Sequence, residues 1–112
     1  MLSKLDYVIA EANKLINGSY GSQKYTGTFP KLPIKGYFWY DPKTPKKVYN
    51  KGQNVKYVQM FLNWSINAGL EVDGLYGPKT YEAVKKFQKL VGIKIDGSVG
   101  KDTLSKMKEF TK

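Results

Sequence analysis

The sequence predicts an all-α fold, in which an amphipathic N-terminal helix and an extended, aromatic-rich adapter segment precede a compact three-helix bundle. Three observations support this fold class. Apolar residues recur at helical spacing in four segments of the chain. A nine-residue turn motif occurs twice, as VDGLYGPKT (72–80, the first DG loop) and IDGSVGKDT (95–103, the second DG loop), each before a helical segment. Glycine and proline stand where those segments begin and end.

Residues 1–17 carry the predicted N-terminal helix. Ser3 is a candidate N-cap and Gly18 is a candidate stop signal. The apolar residues at helical spacing are Leu5, Val8, Ile9, Ala12, Leu15 and Ile16. This pattern is typical of a helix that buries one face against the rest of the protein.

Residues 18–51 form the predicted adapter, which holds all but one of the five prolines. Such a composition favours an extended, turn-rich segment, with short strand pairing near residues 37–40. The segment contains too many apolar side chains to remain in water, and we expect it to pack on the following module. These side chains are Phe29, Leu32, Ile34, Tyr37, Phe38, Trp39 and Tyr40.

The module spans residues 52–112, and its first helix carries two apolar stripes. One stripe holds Val55, Val58, Leu62 and Ile66. The other holds Tyr57, Phe61, Trp64 and Ala68. Two stripes at nearly opposite angles predict that this helix is buried on two sides.

The second helix is predicted at about residues 78–91 and the third at about 101–109. Pro78 stands in the first turn of the second helix, where its missing N–H costs nothing, and Gly92 ends that helix. Its predicted inner stripe is Ala83, Val84, Phe87, Leu90 and Val91. Leu104 and Met107 are the predicted inward residues of the third helix.

The DG loops are interpreted as connectors that start helices. Glycine takes positive φ at low cost, and aspartate accepts hydrogen bonds from nearby amides. In the two copies we expect four apolar side chains to enter the core and two threonines to cap a helix or bond a preceding carbonyl. These residues are Val72, Tyr76, Ile95 and Val99, then Thr80 and Thr103. The alternative is that Asp73 and Asp96 form an acid–base pair.

Composition narrows the function classes. The chain has neither cysteine nor histidine, which removes disulfides, thiol and histidine-based catalysis, and most zinc sites. The net charge of +10 comes from lysine alone, without arginine, the residue that reads guanine edges. No apolar run reaches membrane-span length and the N-terminus lacks a signal-peptide pattern. A lysine-rich polyanion or nucleic-acid-binding helical domain stays open as an alternative function.

Three linked motifs lie within residues 52–108. The first motif holds Val55, Val58, Gln59 and Leu62. The second holds Asp73, Gly74, Gly77, Thr80, Ala83, Val84, Phe87 and Gln88, and the third holds Gly92, Ile93, Asp96, Gly97, Gly100, Thr103 and Leu104. With these residues at this spacing, the segment resembles the type 1 peptidoglycan-binding domain.

The resemblance implies a non-catalytic module of phage endolysins and bacterial cell-wall hydrolases. It implies peptidoglycan as partner, teichoic acids as a further partner in Gram-positive walls, and a covalently attached hydrolase in a longer protein. It implies an extracellular, wall-associated location, with no cofactor, no metal and no catalytic residue. The upstream string YTGTFPKLPIKGYF also resembles the joining segment that precedes this module in lytic enzymes.

Peptidoglycan presents sugar faces that stack on aromatic rings, and the candidate contacts are Tyr57, Trp64, Tyr76 and Tyr81. For Trp64 the alternative is a docking surface, shared with Phe61, for the N-terminal helix and residues 38–40. For the tyrosines of the first DG loop and the second helix, the alternative is a packing role. We expect Gln59 and Gln88 to bond loop backbone, and the two DG aspartates to act as turn residues.

Overall fold

Three α-helices account for the regular structure of the part of the chain that the computed structural model describes, which is Tyr25 and residues 27–111. They are α1 (Gln53–Ile66), α2 (Pro78–Val91) and α3 (Lys101–Phe110). Within those residues, strand pairing is limited to two isolated antiparallel bridges. The all-α prediction is therefore confirmed. The predicted N-terminal helix at residues 1–17 lies outside the described residues.

Helix α2 begins and ends where its sequence signals predicted. Pro78 occupies the first turn, directly after Gly77 in extended conformation. At the other end Gly92 adopts the left-handed conformation with φ of 76°. Its N–H donates to the carbonyl of Gln88 at 3.0 Å, and the N–H of Ile93 donates to the same carbonyl at 3.1 Å. These bonds satisfy a carbonyl that the helix itself leaves without a donor.

Helix α1 ends by a different device. Asn67 takes the left-handed conformation with φ of 53°, a position that asparagine tolerates better than most residues. The side chain of Asn63 then bonds Leu70 twice, accepting from its N–H at 2.7 Å and donating to its carbonyl at 2.9 Å. This pair of bonds folds the connection back onto α1, so that the first DG loop follows at once.

The core lies between the three helices and the adapter. Its buried apolar members are Phe38, Tyr40, Val55, Val58, Phe61, Leu62, Tyr76, Ala83, Val84, Phe87, Val99 and Met107. Burial of a side chain such as Phe61 or Leu62 contributes about 1.5–3 kcal/mol. Leu90 was predicted to face inward but is 54% exposed. It lies at the edge of the buried face of α2, which includes Thr80, Ala83 and Phe87.

Each DG loop turns one apolar side chain inward and leaves the other in solvent. Tyr76 and Val99 are fully buried as predicted, whereas the prediction for Val72 and Ile95 is wrong, since they are 40% and 49% exposed. The physical reason is that a glutamine side chain from the preceding helix fills the inner side of each turn.

The adapter supplies a short antiparallel partner to both DG loops. Phe38 exchanges two backbone hydrogen bonds with Val99, both at 2.9 Å, which fits the predicted strand pairing near residues 37–40. Just before α1, Lys51 bridges Leu75, and the N–H of Tyr76 donates to the carbonyl of Asn50 at 3.0 Å. The same loop motif is thus paired twice with adapter backbone.

Packing of the adapter is uneven. Ile34, which was expected to pack on the module, is fully exposed, because a tight turn closed by the Gly36 N–H on the carbonyl of Pro33 (2.8 Å) lifts it away. Tyr25 and Phe29 instead pack on Phe61, with ring centroids 5.4 and 6.1 Å away. The described start of the adapter is therefore fixed to α1 by aromatic contacts.

Candidate functional site

The first DG loop is organised by Gln59, which is 1% exposed on α1. Its amide nitrogen lies within hydrogen-bond distance of the Asp73 carboxylate (3.0 Å), the Leu75 carbonyl (3.1 Å) and the Thr80 hydroxyl (3.1 Å). Its amide oxygen accepts from the N–H of Gly74 at 2.9 Å. One side chain therefore connects α1, the loop and the start of α2.

The second DG loop repeats this network around Gln88 of α2, which is also 1% exposed. The amide nitrogen reaches the Asp96 carboxylate (2.9 Å), the Ser98 carbonyl (2.9 Å) and the Thr103 hydroxyl (3.0 Å). The amide oxygen accepts from the N–H groups of Asp96 and Gly97 at 3.0 and 2.9 Å. Both glutamines bond loop backbone, as the sequence predicted.

The threonines act as acceptors inside these networks and not as helix caps. Neither α2 nor α3 has a side-chain hydrogen bond at its N-cap, so the capping expectation is wrong. Thr103 does donate to a preceding carbonyl, that of Ser98, at 3.3 Å. Thr80 and Thr103 are 3% and 4% exposed, and their hydroxyls meet the glutamine amides where solvent has no access.

The two aspartates are held in turn geometry. The carboxylate of Asp73 accepts from the N–H of Leu75, and that of Asp96 accepts from the N–H of Ser98, both at 2.9 Å. Hydrogen bonds from Leu75 and then Gln59 lower the pKa of Asp73, because they stabilise its charged form. Both carboxylates are engaged by hydrogen bonds within their own loop networks, which favours the connector interpretation over the acid–base pair.

Tyr76 was a candidate sugar contact, and the structure contradicts this because the residue is fully buried. Its hydroxyl donates to the carbonyl of Gly97 at 2.6 Å and so links the two DG loops. Its ring stacks on Phe38, with centroids 6.3 Å apart. Burial, followed by the nearby charges of Asp96 and Tyr81, raises the pKa of Tyr76 well above its usual value.

The three other aromatic candidates are partly exposed and lie on two different surfaces. Trp64 is surrounded by Tyr25, Phe61 and Phe110, with ring centroids 5.5–5.9 Å away. Tyr25 of the adapter packs on this surface, and the predicted N-terminal helix of the docking alternative lies outside the described residues.

Tyr57 lies on α1 near Tyr25, whose pKa is raised by burial and by Tyr57. Tyr81 contacts the ring of Tyr40 (5.3 Å) and lies beneath Lys85, whose ammonium is 5.0 Å from the ring centroid. Ligand contact by Tyr57, Trp64 and Tyr81 stays a prediction.

An open groove of about 480 Å³ lies between the adapter turn and the second DG loop. Its walls are Gly36, Tyr37, Gln88, Ile93, Lys94, Asp96, Ser98, Gly100, Lys101, Asp102 and Thr103. Lysine ammonium and aspartate carboxylate groups line it together, next to exposed loop backbone. Such a mixed lining suits a ligand that carries both charged groups and amides.

Sequence reasoning missed the groove residues Tyr37, Lys94 and Lys101. The signal for the lysines was present in the repeat, because Glu71 and Pro78 stand at the equivalent positions around the first DG loop. The copies differ in charge where the second one borders the groove. Tyr37 could not be assigned without knowing that the adapter pairs with Val99.

In the described part of the chain, acidic side chains nowhere gather in a group of three that could hold a metal ion. None of the helices among residues 27–111 combines the length and apolarity needed to cross a membrane.

Comparison with known proteins identifies a family and a curated relative. Forty residues are 48% identical to autolytic lysozyme from Clostridium acetobutylicum, a stretch that covers 36% of this chain and 12% of that protein. No solved structure gave a significant match. The family model described as "Putative peptidoglycan binding domain" matches residues 51–107, more than half of the chain and all three helical motifs of the fold. The chain therefore belongs to the peptidoglycan-binding domain family.

Proposed function

We propose that the chain is a non-catalytic module that holds an attached hydrolase on the bacterial cell wall. The observation that carries the proposal is the family match over residues 51–107, together with the groove beside the second DG loop. The relative's name describes a lytic enzyme, and the matched part is a small fraction of its length. A binding module raises the local concentration of the enzyme to which it is linked.

The groove binds a stem peptide in this proposal. Lys94 and Lys101 pair with its carboxylates, and Asp102 pairs with an ammonium group. The polar atoms of Gln88 and Thr103 are already bonded to each other and to the loop, so they fix the shape of the wall and leave the charged tips to meet the ligand. Tyr57, Trp64 and Tyr81 are further candidate contacts outside the groove.

The lysine excess adds diffuse attraction. A net charge of +10 draws the chain to the anionic teichoic acids and peptide carboxylates of a Gram-positive wall, and salt weakens this attraction. The family match gives no support to the nucleic-acid alternative. In the proposed role the chain acts at the cell wall, outside the cell, without a cofactor and without catalysis.

The test is co-sedimentation of the full chain with purified sacculi, comparing two charge reversals of equal size. Lys94→Glu combined with Lys101→Glu is expected to lower affinity at least tenfold. Lys79→Glu combined with Lys86→Glu makes the same change in net charge on exposed positions of α2 and is expected to cost less than threefold. Equal losses from both pairs would show diffuse attraction alone, without a groove.

A second arm tests the absence of catalysis. The chain alone is not expected to clear a turbid cell-wall suspension over several hours. The same chain fused to a hydrolase is expected to make that hydrolase clear the suspension faster. Clearing by the chain alone, abolished by Asp96→Asn, would establish an enzyme and overturn the proposal.

A further inference from the structure

We propose that the adapter carries a glycan-stacking surface made by the rings of Tyr37, Trp39 and Tyr49, which we call the aromatic strip. The proposal rests on the proposed function and names the second chemical part of the same polymer. Tyr37 belongs to both surfaces, because it also lines the groove. The strip therefore continues the groove outward along the adapter, beyond the residues that the family model matches.

The rings of the strip form an unbroken series. The centroids of Tyr37 and Trp39 are 5.6 Å apart with ring planes inclined by 63°, and those of Trp39 and Tyr49 are 5.1 Å apart with ring planes inclined by 28°. Tyr37 is 37% exposed, and the other two are partly exposed. Successive pyranose units of a glycan chain can each place an apolar C–H face on such a series of rings.

The strip arises because side chains of the extended adapter alternate between the core and solvent. Folding does not require aromatic residues at the solvent-facing positions. Side chains alternate between two faces in extended backbone. Phe38 and Tyr40 point into the core and are 4% and 8% exposed, while Tyr37 and Trp39 point outward from the same segment. The outward positions contribute little to the core, yet they hold large aromatic residues whose apolar rings are partly exposed to water.

The strip is held in place before any ligand arrives. The N–H of Trp39 donates to the side-chain oxygen of Asn50 at 2.8 Å, which ties the two adapter segments together. The hydroxyl of Tyr49 is 3.0 Å from that of Thr44. Thr44 is itself fixed in a turn, in which its N–H donates to the backbone carbonyl of Asp41 at 3.0 Å. Such preorganisation lowers the entropy that binding would otherwise cost.

Two lysines lie over the rings of the strip. The ammonium of Lys35 is 5.0 Å from the Trp39 ring centroid and 5.7 Å from that of Tyr37. The ammonium of Lys47 is 4.9 Å from the Tyr49 ring centroid. These exposed cation–π contacts are weak, so the lysine side chains can move aside when a sugar stacks on the rings. Single-stranded nucleic acid also stacks on rings and pairs with lysine, but the family match favours the glycan.

The experiment measures binding of the full chain to purified sacculi and to a soluble tetramer of β-1,4-linked N-acetylglucosamine. Removing a ring by Trp39→Ala or Tyr49→Ala is expected to weaken sacculus binding about five- to tenfold. Trp39→Phe keeps a ring and is expected to stay within about twofold of wild type. Leu90→Ala removes an exposed apolar side chain on α2 and is expected to leave binding unchanged.

Fluorescence supplies a readout that does not depend on folding of the alanine variants. In a Trp64→Phe background, Trp39 is the remaining tryptophan, since the chain has two. The tetramer is expected to shift its emission to the blue in the millimolar range, because stacking removes the ring from water.

Three results would overturn the proposal while leaving peptidoglycan binding intact. The first is wild-type affinity of the two alanine variants for sacculi. The second is an emission spectrum of Trp39 that the tetramer does not change. The third is displacement of sacculi by single-stranded DNA at lower concentration than by the tetramer. Failure of the wild-type chain itself to bind sacculi would instead count against the proposed function.

Discussion

The hydroxyl of Tyr76 is expected to stabilise the fold and to play no part in ligand binding. In Tyr76→Phe the Gly97 carbonyl loses a donor that lies 2.6 Å away at a site without solvent access. Leaving a buried acceptor unpaired costs about 1–3 kcal/mol, while the Phe ring keeps the packing on Phe38. For a domain of this size each kcal/mol lowers the Tm by about 4–8 °C, so a fall on the order of 5–20 °C is expected.

Thermal and urea unfolding, followed by circular dichroism, measure this loss. Tyr37→Phe is the matched control, because it removes a hydroxyl from an exposed ring and is expected to change stability by less than about 0.5 kcal/mol. Sacculus binding at 20 °C is expected to be the same for wild type and Tyr76→Phe. The reasoning is refuted if stability is unchanged, or if binding falls while stability holds.

Alkaline pH tests the same residue. The folded pKa of Tyr76 is raised, so its contribution is fully present below the ordinary tyrosine pKa and is lost as pH rises through the folded value. Urea unfolding between about pH 9 and 11 is therefore expected to show a smaller loss of stability for Tyr76→Phe than for wild type.

Three further predictions concern the fold. The buried hydroxyl of Ser65 has no hydrogen-bond partner among the described residues, so Ser65→Ala is expected to raise stability by about 1 kcal/mol in urea unfolding, and a loss would contradict this. Gly97→Ala and Gly92→Ala both place a side chain at positive φ, but only the first puts a Cβ against the ring of Tyr81. Gly92→Ala is expected to cost about 1–2 kcal/mol and Gly97→Ala clearly more, and equal Tm values would contradict the contact. The folded pKa of Asp73 is lowered, so its contribution is present above the ordinary pKa and is lost as pH falls through the folded value. Asp73→Asn is therefore expected to flatten the decline of stability below about pH 4, and parallel curves for mutant and wild type would count against it.

Local signals were sufficient where a residue type permits few conformations. Pro78 and Gly92 marked the ends of α2 correctly, because a missing N–H and a left-handed φ leave little choice. The glutamines were also interpreted correctly, since a polar side chain among apolar neighbours must find backbone partners. The described helices and the loop networks were thus largely predictable from the sequence.

Orientation within the loops was less predictable. Tyr76 and Val72 lie in the same loop, and either could have faced the core on polarity alone. The choice is made by Gln59, which fills the inner side of the turn, and by the Gly97 carbonyl, which receives the Tyr76 hydroxyl. Both are contacts between residues at least 15 positions apart in the chain. Short sequence windows contain no information about them.

The groove and the aromatic strip depend on a still longer connection. Both need the backbone pairing of Phe38 with Val99, which brings the adapter against the second DG loop. Apolar composition predicted that the segment with Tyr37 and Trp39 packs on the module, but it could not show which of the four aromatic residues at 37–40 point outward. Pairing with the loop decides that alternation.

Binding of the full chain to sacculi stripped of teichoic acids tests the central claim most directly. We expect co-sedimentation that persists at about 150 mM salt, because attraction between exposed charges more than a Debye length apart is largely screened there, whereas direct contacts in the groove are screened less. A folded chain that sediments with untreated walls but stays in the supernatant with stripped sacculi would contradict the account. Such a chain would be a polyanion binder.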